Sequence, residues 1–112
     1  MTNVNAQQTT SSPILGTPLL YQVNQNTIGH AVAIQNNNIH TLAIQGANFG
    51  GGTVAVEWSL DAITWNPLLA ADSKPLALTQ SCLVSGLSFN GIYLRASLAG
   101  SAEAKDITVT IS

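Results

Sequence analysis

Apolar and polar residues alternate along most of the chain from Leu19 onward. Leu19, Tyr21 and Val23 share one face, followed by Ile28, His30, Val32 and Ile34, then by His40, Leu42 and Ile44. Val54, Val56, Trp58 and Leu60 alternate with Thr53, Ala55, Glu57 and Ser59. Leu76, Leu78, Cys82 and Val84 continue the pattern, with Gln80 breaking the apolar face as at a bulge or an edge. Ile92, Leu94, Ala96 and Leu98 come next, and Ile107, Val109 and Ile111 close the series. A period of two over such lengths predicts strands with one buried face.

Turn-forming residues separate the runs: Asn24 to Thr27, Asn36 to Asn38, Gly46 to Gly52, Asp61 to Ile63, Asp72 to Pro75, Gly86, Asn90-Gly91 and Gly100. Asn90-Gly91 reads as a tight hairpin, because both residues tolerate positive φ. The only helix-tolerant stretch, Ser101 to Asp106, is too short to stand alone. The pattern therefore predicts an all-β chain. It is a single antiparallel β-sandwich, jelly-roll-like or immunoglobulin-like, of about seven to eight strands over residues 13–112. Residues 1–12 are rich in Asn, Gln, Thr and Ser and have no period, so they are expected to form an extended N-terminal arm. If the arm works in an assembly, Val4, Gln7, Gln8, Thr9 and Thr10 are its candidate contacts with a neighbouring subunit or a larger shell.

Composition narrows the functions. The 112 residues include three Lys/Arg and five Asp/Glu, a net charge of −2, while Asn, Gln, Ser and Thr together number 38. Only 7% of residues are charged, against about a quarter in an ordinary soluble domain. Nucleic-acid binding needs cations to displace counterions from phosphates, and only Lys74, Arg95 and Lys105 are present. A basic membrane-surface helix fails for the same reason, and no apolar run approaches the length of a membrane span. The polar start has no secretory pattern, and the single Cys82 permits no intrachain disulfide, so synthesis in a reducing cytoplasm is expected. Cys82 reads as a small buried hydrophobe.

Catalytic chemistry has little to build on. His30 and His40 fall on apolar faces without a carboxylate or thiol at ligand spacing, so they read as structural histidines and no metal is expected. No serine sits on a nucleophile elbow. Gly46 to Thr53 lacks the lysine and the following helix of a phosphate loop, and reads as a loop needing positive φ near another backbone. The chain is thus expected to be no enzyme and to hold no cofactor. Arg95, the sole arginine, is either a solvated strand residue or an anchor between subunits.

The most specific segment is Thr53-Val54-Ala55-Val56-Glu57-Trp58-Ser59-Leu60-Asp61-Ala62-Ile63-Thr64-Trp65. Asp61 and Thr64 can close its turn by local hydrogen bonds, with Trp58 and Trp65 bracketing the hairpin. With the glycines before it, from Gly46 to Leu68, this stretch resembles a β-hairpin of small β-sandwich virion proteins of tailed bacteriophages, head decoration (cement) proteins among them. Ala62 departs from the pattern, which has glycine after the aspartate. The resemblance implies a homotrimer that binds the major capsid protein on the outer capsid surface of the virion and stabilises it. Another virion part, such as a tail or baseplate component, is the alternative. A carbohydrate- or receptor-binding sandwich using Trp65, Tyr21 or Tyr93 is a further one, since similar hairpins occur in sugar-binding modules.

Overall fold

A computed structural model describes residues 16–35, 39–70, 72–89 and 91–112; the expected arm, residues 1–12, lies outside them. The described residues form ten strands: β1 (Thr17–Val23), β2 (Thr27–Ile28), β3 (Val32–Ile34), β4 (Ile39–Gln45), β5 (Thr53–Ser59), β6 (Asn66–Pro67), β7 (Ala77–Leu78), β8 (Cys82–Ser88), β9 (Ile92–Ala99) and β10 (Ile107–Ile111). Every ladder is antiparallel. One sheet runs β1-β10-β4-β8, and the other has β9 and β5 at its centre. Both β2 and β3 pair with β9, and both β6 and β7 pair with β5. Two of the strand positions are thus interrupted, and the ten segments occupy eight positions in a four-on-four sandwich.

The wiring decides between the two expected sandwich types. Successive strand positions alternate between the sheets, except that β5 is followed in its own sheet by β6. Numbered by position, the sheets read 1-8-3-6 and 2-7-4-5, the arrangement of a jelly roll. This corrects one local reading: Gly91 does not close a hairpin, because β8 pairs with β4 in one sheet and β9 belongs to the other. Gly91 has φ of 72° and donates its N–H to the Ile34 carbonyl at 2.9 Å as the chain crosses between sheets.

The core lies between the sheets. Leu42, Ile44, Ile107, Val109 and Ile111 from one sheet meet Val54, Val56, Leu94, Ala96 and Leu98 from the other. The alternation departs from expectation in β1, where consecutive Leu19 and Leu20 are both buried. The register slips between Pro18 and Leu20 and again before Val23, where Gln22 has a positive φ of 48°. An extra residue at a bulge reverses the phase of the strand, which is why Tyr21 ends half exposed instead of in the core. The run Ile28 to Ile34 breaks at Gly29, whose N–H bonds the Ala96 carbonyl at 2.8 Å. A Cβ on Gly29 would collide with the Leu19 carbonyl oxygen, so the chain passes here only as glycine. His30 lies exposed beyond the break. The run around Gln80 also divides: β7 and β8 enter different sheets, and Gln80 sits in the bend between them. Ser101 to Asp106 forms no helix.

Candidate functional site

The hairpin that joins β5 to β6 is built by side-chain bonds of very short range. The Ser59 hydroxyl donates to Asp61 Oδ1 at 2.9 Å and accepts the N–H groups of Asp61 and Ala62 at 3.2 and 2.9 Å. Asp61 Oδ1 also accepts the N–H groups of Ile63 and Thr64, each at 2.9 Å. Every amide from Asp61 to Thr64 therefore donates inward to Ser59 or Asp61. These donors favour the ionised carboxylate, so Asp61 titrates below the ordinary range, with the Thr64 and Ile63 amides and then the Ser59 hydroxyl as causes. Thr64 takes part through its amide. Ala62 has φ of 62°, the left-handed conformation that glycine adopts without strain. The turn keeps its shape despite the alanine because its neighbours fix the backbone on both sides.

Trp58 is half-buried and packs against the core, whereas Trp65 lies on the outer face of the same sheet. The Arg95 guanidinium stands 4.3 Å from the centre of the Trp65 ring, and Arg95 Nε donates to Glu57 Oε1 at 2.9 Å. Glu57 and Arg95 are direct cross-strand partners, so the sheet register itself brings them together. Tyr93 is two residues from Arg95 along β9 and shares its face. Arg95 is thus tied within its own chain, and it covers one face of the ring that a sugar would stack on.

Register places the hairpin tip at one end of the sandwich. Ser59 pairs with Tyr93, which pairs with Ala33. Ala33 lines a cavity of about 260 Å³ between the sheets, together with Thr17, Gln35, His40 and Ser112 among others. His40 is 2% exposed, and its ring stacks on Phe89 with centroids 4.8 Å apart. Its Nε2 is walled off from water with no hydrogen-bond partner among the described residues. A buried polar atom left unpaired costs stability.

Charge is distributed unequally over the fold. None of the residues of β1, β4, β8 and β10 is Asp, Glu, Lys or Arg. The outer face of that sheet carries Pro18, Thr110, Ala43 and Leu83 abreast across all four strands. Glu57 and Arg95 lie in the other sheet, and the remaining charged residues lie in loops. Among the described residues no group of three His, Cys, Asp or Glu could hold a metal ion.

The structure thus brings Asp61 and Thr64 together in one turn and sets Trp65 under Arg95, while Trp58 belongs to the core. Val4, Gln7, Gln8, Thr9 and Thr10 lie outside the described residues. Leu60, which the alternation places on the buried face with Val54, Val56 and Trp58, is instead 73% exposed because β5 ends at Ser59 and the chain turns away from the core; Ser59 and Ile63 were not singled out as site residues. The Ser-x-Asp spacing was the available signal for Ser59, and two large aliphatics around a turn-forming aspartate were the signal for the tip. Comparison with protein-family models, curated proteins and solved structures found no match.

Proposed function

We propose that this chain is a bacteriophage structural protein of the head decoration type. It binds the outer surface of the shell formed by the major capsid protein, assembles as a homotrimer and stabilises the capsid by protein–protein contacts. The observation that carries this reading is the uncharged four-stranded sheet. A sheet face without ionised groups is covered by another protein without the cost of stripping water from charges. Its Thr and Ser hydroxyls can still hydrogen-bond across a wet interface. The resemblance of the Trp58–Trp65 hairpin to those of phage virion sandwiches points the same way. The jelly roll alone adds nothing specific, because viral capsid and lectin domains share it.

The test is co-sedimentation of the purified protein with heads of the encoding phage that lack it. Saturable binding and a raised temperature of head disruption are expected. Binding to tails but not heads would move the protein to another part of the virion. Binding to glycans that depends on Trp65, with no binding to virions, would replace the proposal by a sugar-binding one.

A further inference from the structure

The two flanks of the sandwich are sealed unequally. Where β1 lies over β2 and β3, the inward residues Leu19, Leu20 and Ile34 are at most 6% exposed. On the other flank β8 lies over β6 and β7, and none of the described residues of these three strands is buried. Cys82, Val84 and Leu87 of β8 pack toward the core together with Leu68, Leu76 and Leu78, yet all six stay only partly covered. Among the described strands β8 pairs with β4 alone, so along its seven residues every other N–H and C=O faces outward. Its one irregularity falls near Gly86, which has φ of 77°; Cys82, Leu83 and Val84 pair with Ile44, Ala43 and Leu42 without a break. The opposite edge of the sheet is blunted, since β1 carries Pro18, which has no N–H, and two register slips. No charge and no proline guards β8.

We infer that residues 1–12 of a neighbouring copy add a strand to the free edge of β8 and cover the open flank. An occupant of this edge must bring unpaired backbone groups and no charge. Residues 1–15 contain no Asp, Glu, Lys or Arg, and residues 1–12 contain no proline. Strand addition takes its affinity from backbone hydrogen bonds and its specificity from alternate side-chain sites, which suits a segment of Asn, Gln, Thr and Ser with Val4 and Ala6 among them. Reach and starting point favour a neighbour. The fifteen residues before Gly16 span about 50 Å when extended, and the seven of β8 need about half of that. They join the fold at β1, the edge opposite β8 in the same sheet. In its own copy the arm would have to cross β1, β10 and β4, whereas in copies set edge to edge it starts beside the next β8. Such a head-to-tail contact, repeated by one rotation, closes a ring in which each copy gives an arm and receives one. The inference deepens the homotrimer of the proposed function by naming its contact, and it rests on that reading only for the number of copies.

The experiment uses the native thiol of β8, Cys82, which forms no disulfide in the fold. Single cysteines are placed along the arm of the full chain (Val4→Cys, Asn5→Cys, Ala6→Cys, Gln7→Cys, Gln8→Cys and Thr9→Cys), and each variant is mildly oxidised and run on a non-reducing gel. Bands of two and three linked chains are expected at one position and again two residues away, with its immediate neighbours failing, as the strand period demands. A second variant, Gln7→Pro with Gln8→Pro, removes two consecutive amides, one of which must face β8. It lies outside the sandwich, so circular dichroism should stay that of the wild type. By sedimentation the wild type is expected at three times 11.6 kDa, and the proline variant should self-associate at least about tenfold more weakly. A wild type that stays monomeric at its highest soluble concentration overturns the inference, as does a proline variant that assembles like the wild type. Links confined to single chains, links without alternation, or an arm that cross-links only to the capsid protein overturn it as well. Head binding is read separately. Rings that bind no heads leave this contact standing without the proposed function, and heads bound by a monomeric chain do the reverse.

Discussion

Replacing Ser59 by alanine removes one hydroxyl from the most heavily bonded point of the hairpin. Ser59 is fully buried, and its oxygen holds the amides of Asp61 and Ala62 while donating to a carboxylate. A hydrogen bond to a charged group contributes about 1.5–3 kcal/mol, and an amide left unpaired in a partly buried site costs about 1 kcal/mol or more. Water reaches part of this turn, so the lower half of that range applies, and the expected loss is about 2–3 kcal/mol. For a chain of this length the unfolding entropy converts 1 kcal/mol into about 4 °C, which puts the midpoint of thermal unfolding roughly 10 °C below that of the wild type. Differential scanning calorimetry reads the shift. Because Ser59 and Asp61 act as a unit, Ser59→Ala combined with Asp61→Ala should lose much less than the two single losses added together. A Ser59→Ala midpoint within 2 °C of the wild type, an error margin of about 0.5 kcal/mol, would refute the claim that these bonds hold the tip in shape.

Four further outcomes follow from the same geometry. Arg95→Ala should cost about 1 kcal/mol, the discounted value of a part-exposed ion pair and a cation–π contact, and should change Trp fluorescence; Arg95→Lys, which keeps the charge but loses the flat stack, should fall between. Asp61 titrates below the ordinary carboxylate range, so its ionised form stabilises the fold fully above about pH 3.9 and that contribution is lost as pH falls through the lowered value. The stability gap between wild type and Asp61→Asn should therefore close on acidification, as read by chemical denaturation across pH 2 to 7, roughly the span in which carboxylates titrate. Leu83→Lys sets a charge on the uncharged sheet at a position 73% exposed, and should weaken head binding at least about tenfold while leaving stability within about 0.5 kcal/mol. His40→Phe keeps the stack on Phe89 and removes the unpaired nitrogen, so thermal unfolding should rise by about 4 °C, equivalent to about 1 kcal/mol.

The strands that the hydrophobic pattern marks most cleanly are β4, β5, β9 and β10, and these are the central strands of the two sheets. A central strand is paired on both sides, so a slip of one residue would move its whole apolar set out of the core, and strict alternation is enforced. The edge positions are free of that constraint on one side. There β1 bulges, β2 and β3 separate at Gly29, and β7 divides from β8 near Gln80. Tyr21, His30 and Gln80 each belong to an edge strand or to the break beside one; Leu60, the exception, lies just past the end of central β5, where pairing stops. The alternation thus reported burial and pairing together, and lost its reliability where pairing was one-sided.

Connections follow a similar logic of range. In a jelly roll nearly every link crosses from one sheet to the other, so a dipeptide such as Asn90-Gly91 names a sharp turn without naming its partner strands. Between β5 and β6 the neighbours in sequence are also neighbours in the sheet, and there the local residues do determine the structure. Hence Asp61 and its turn were legible: their bonds reach across no more than three residues. The cavity beside His40 was not, because it is assembled from Gly16 and Ser112 at opposite ends of the described chain, with Ala33, Gln35 and His40 between them. The uncharged sheet lies midway. Its emptiness of Asp, Glu, Lys and Arg is written in the composition, but it becomes a face only once the topology places β1, β10, β4 and β8 side by side.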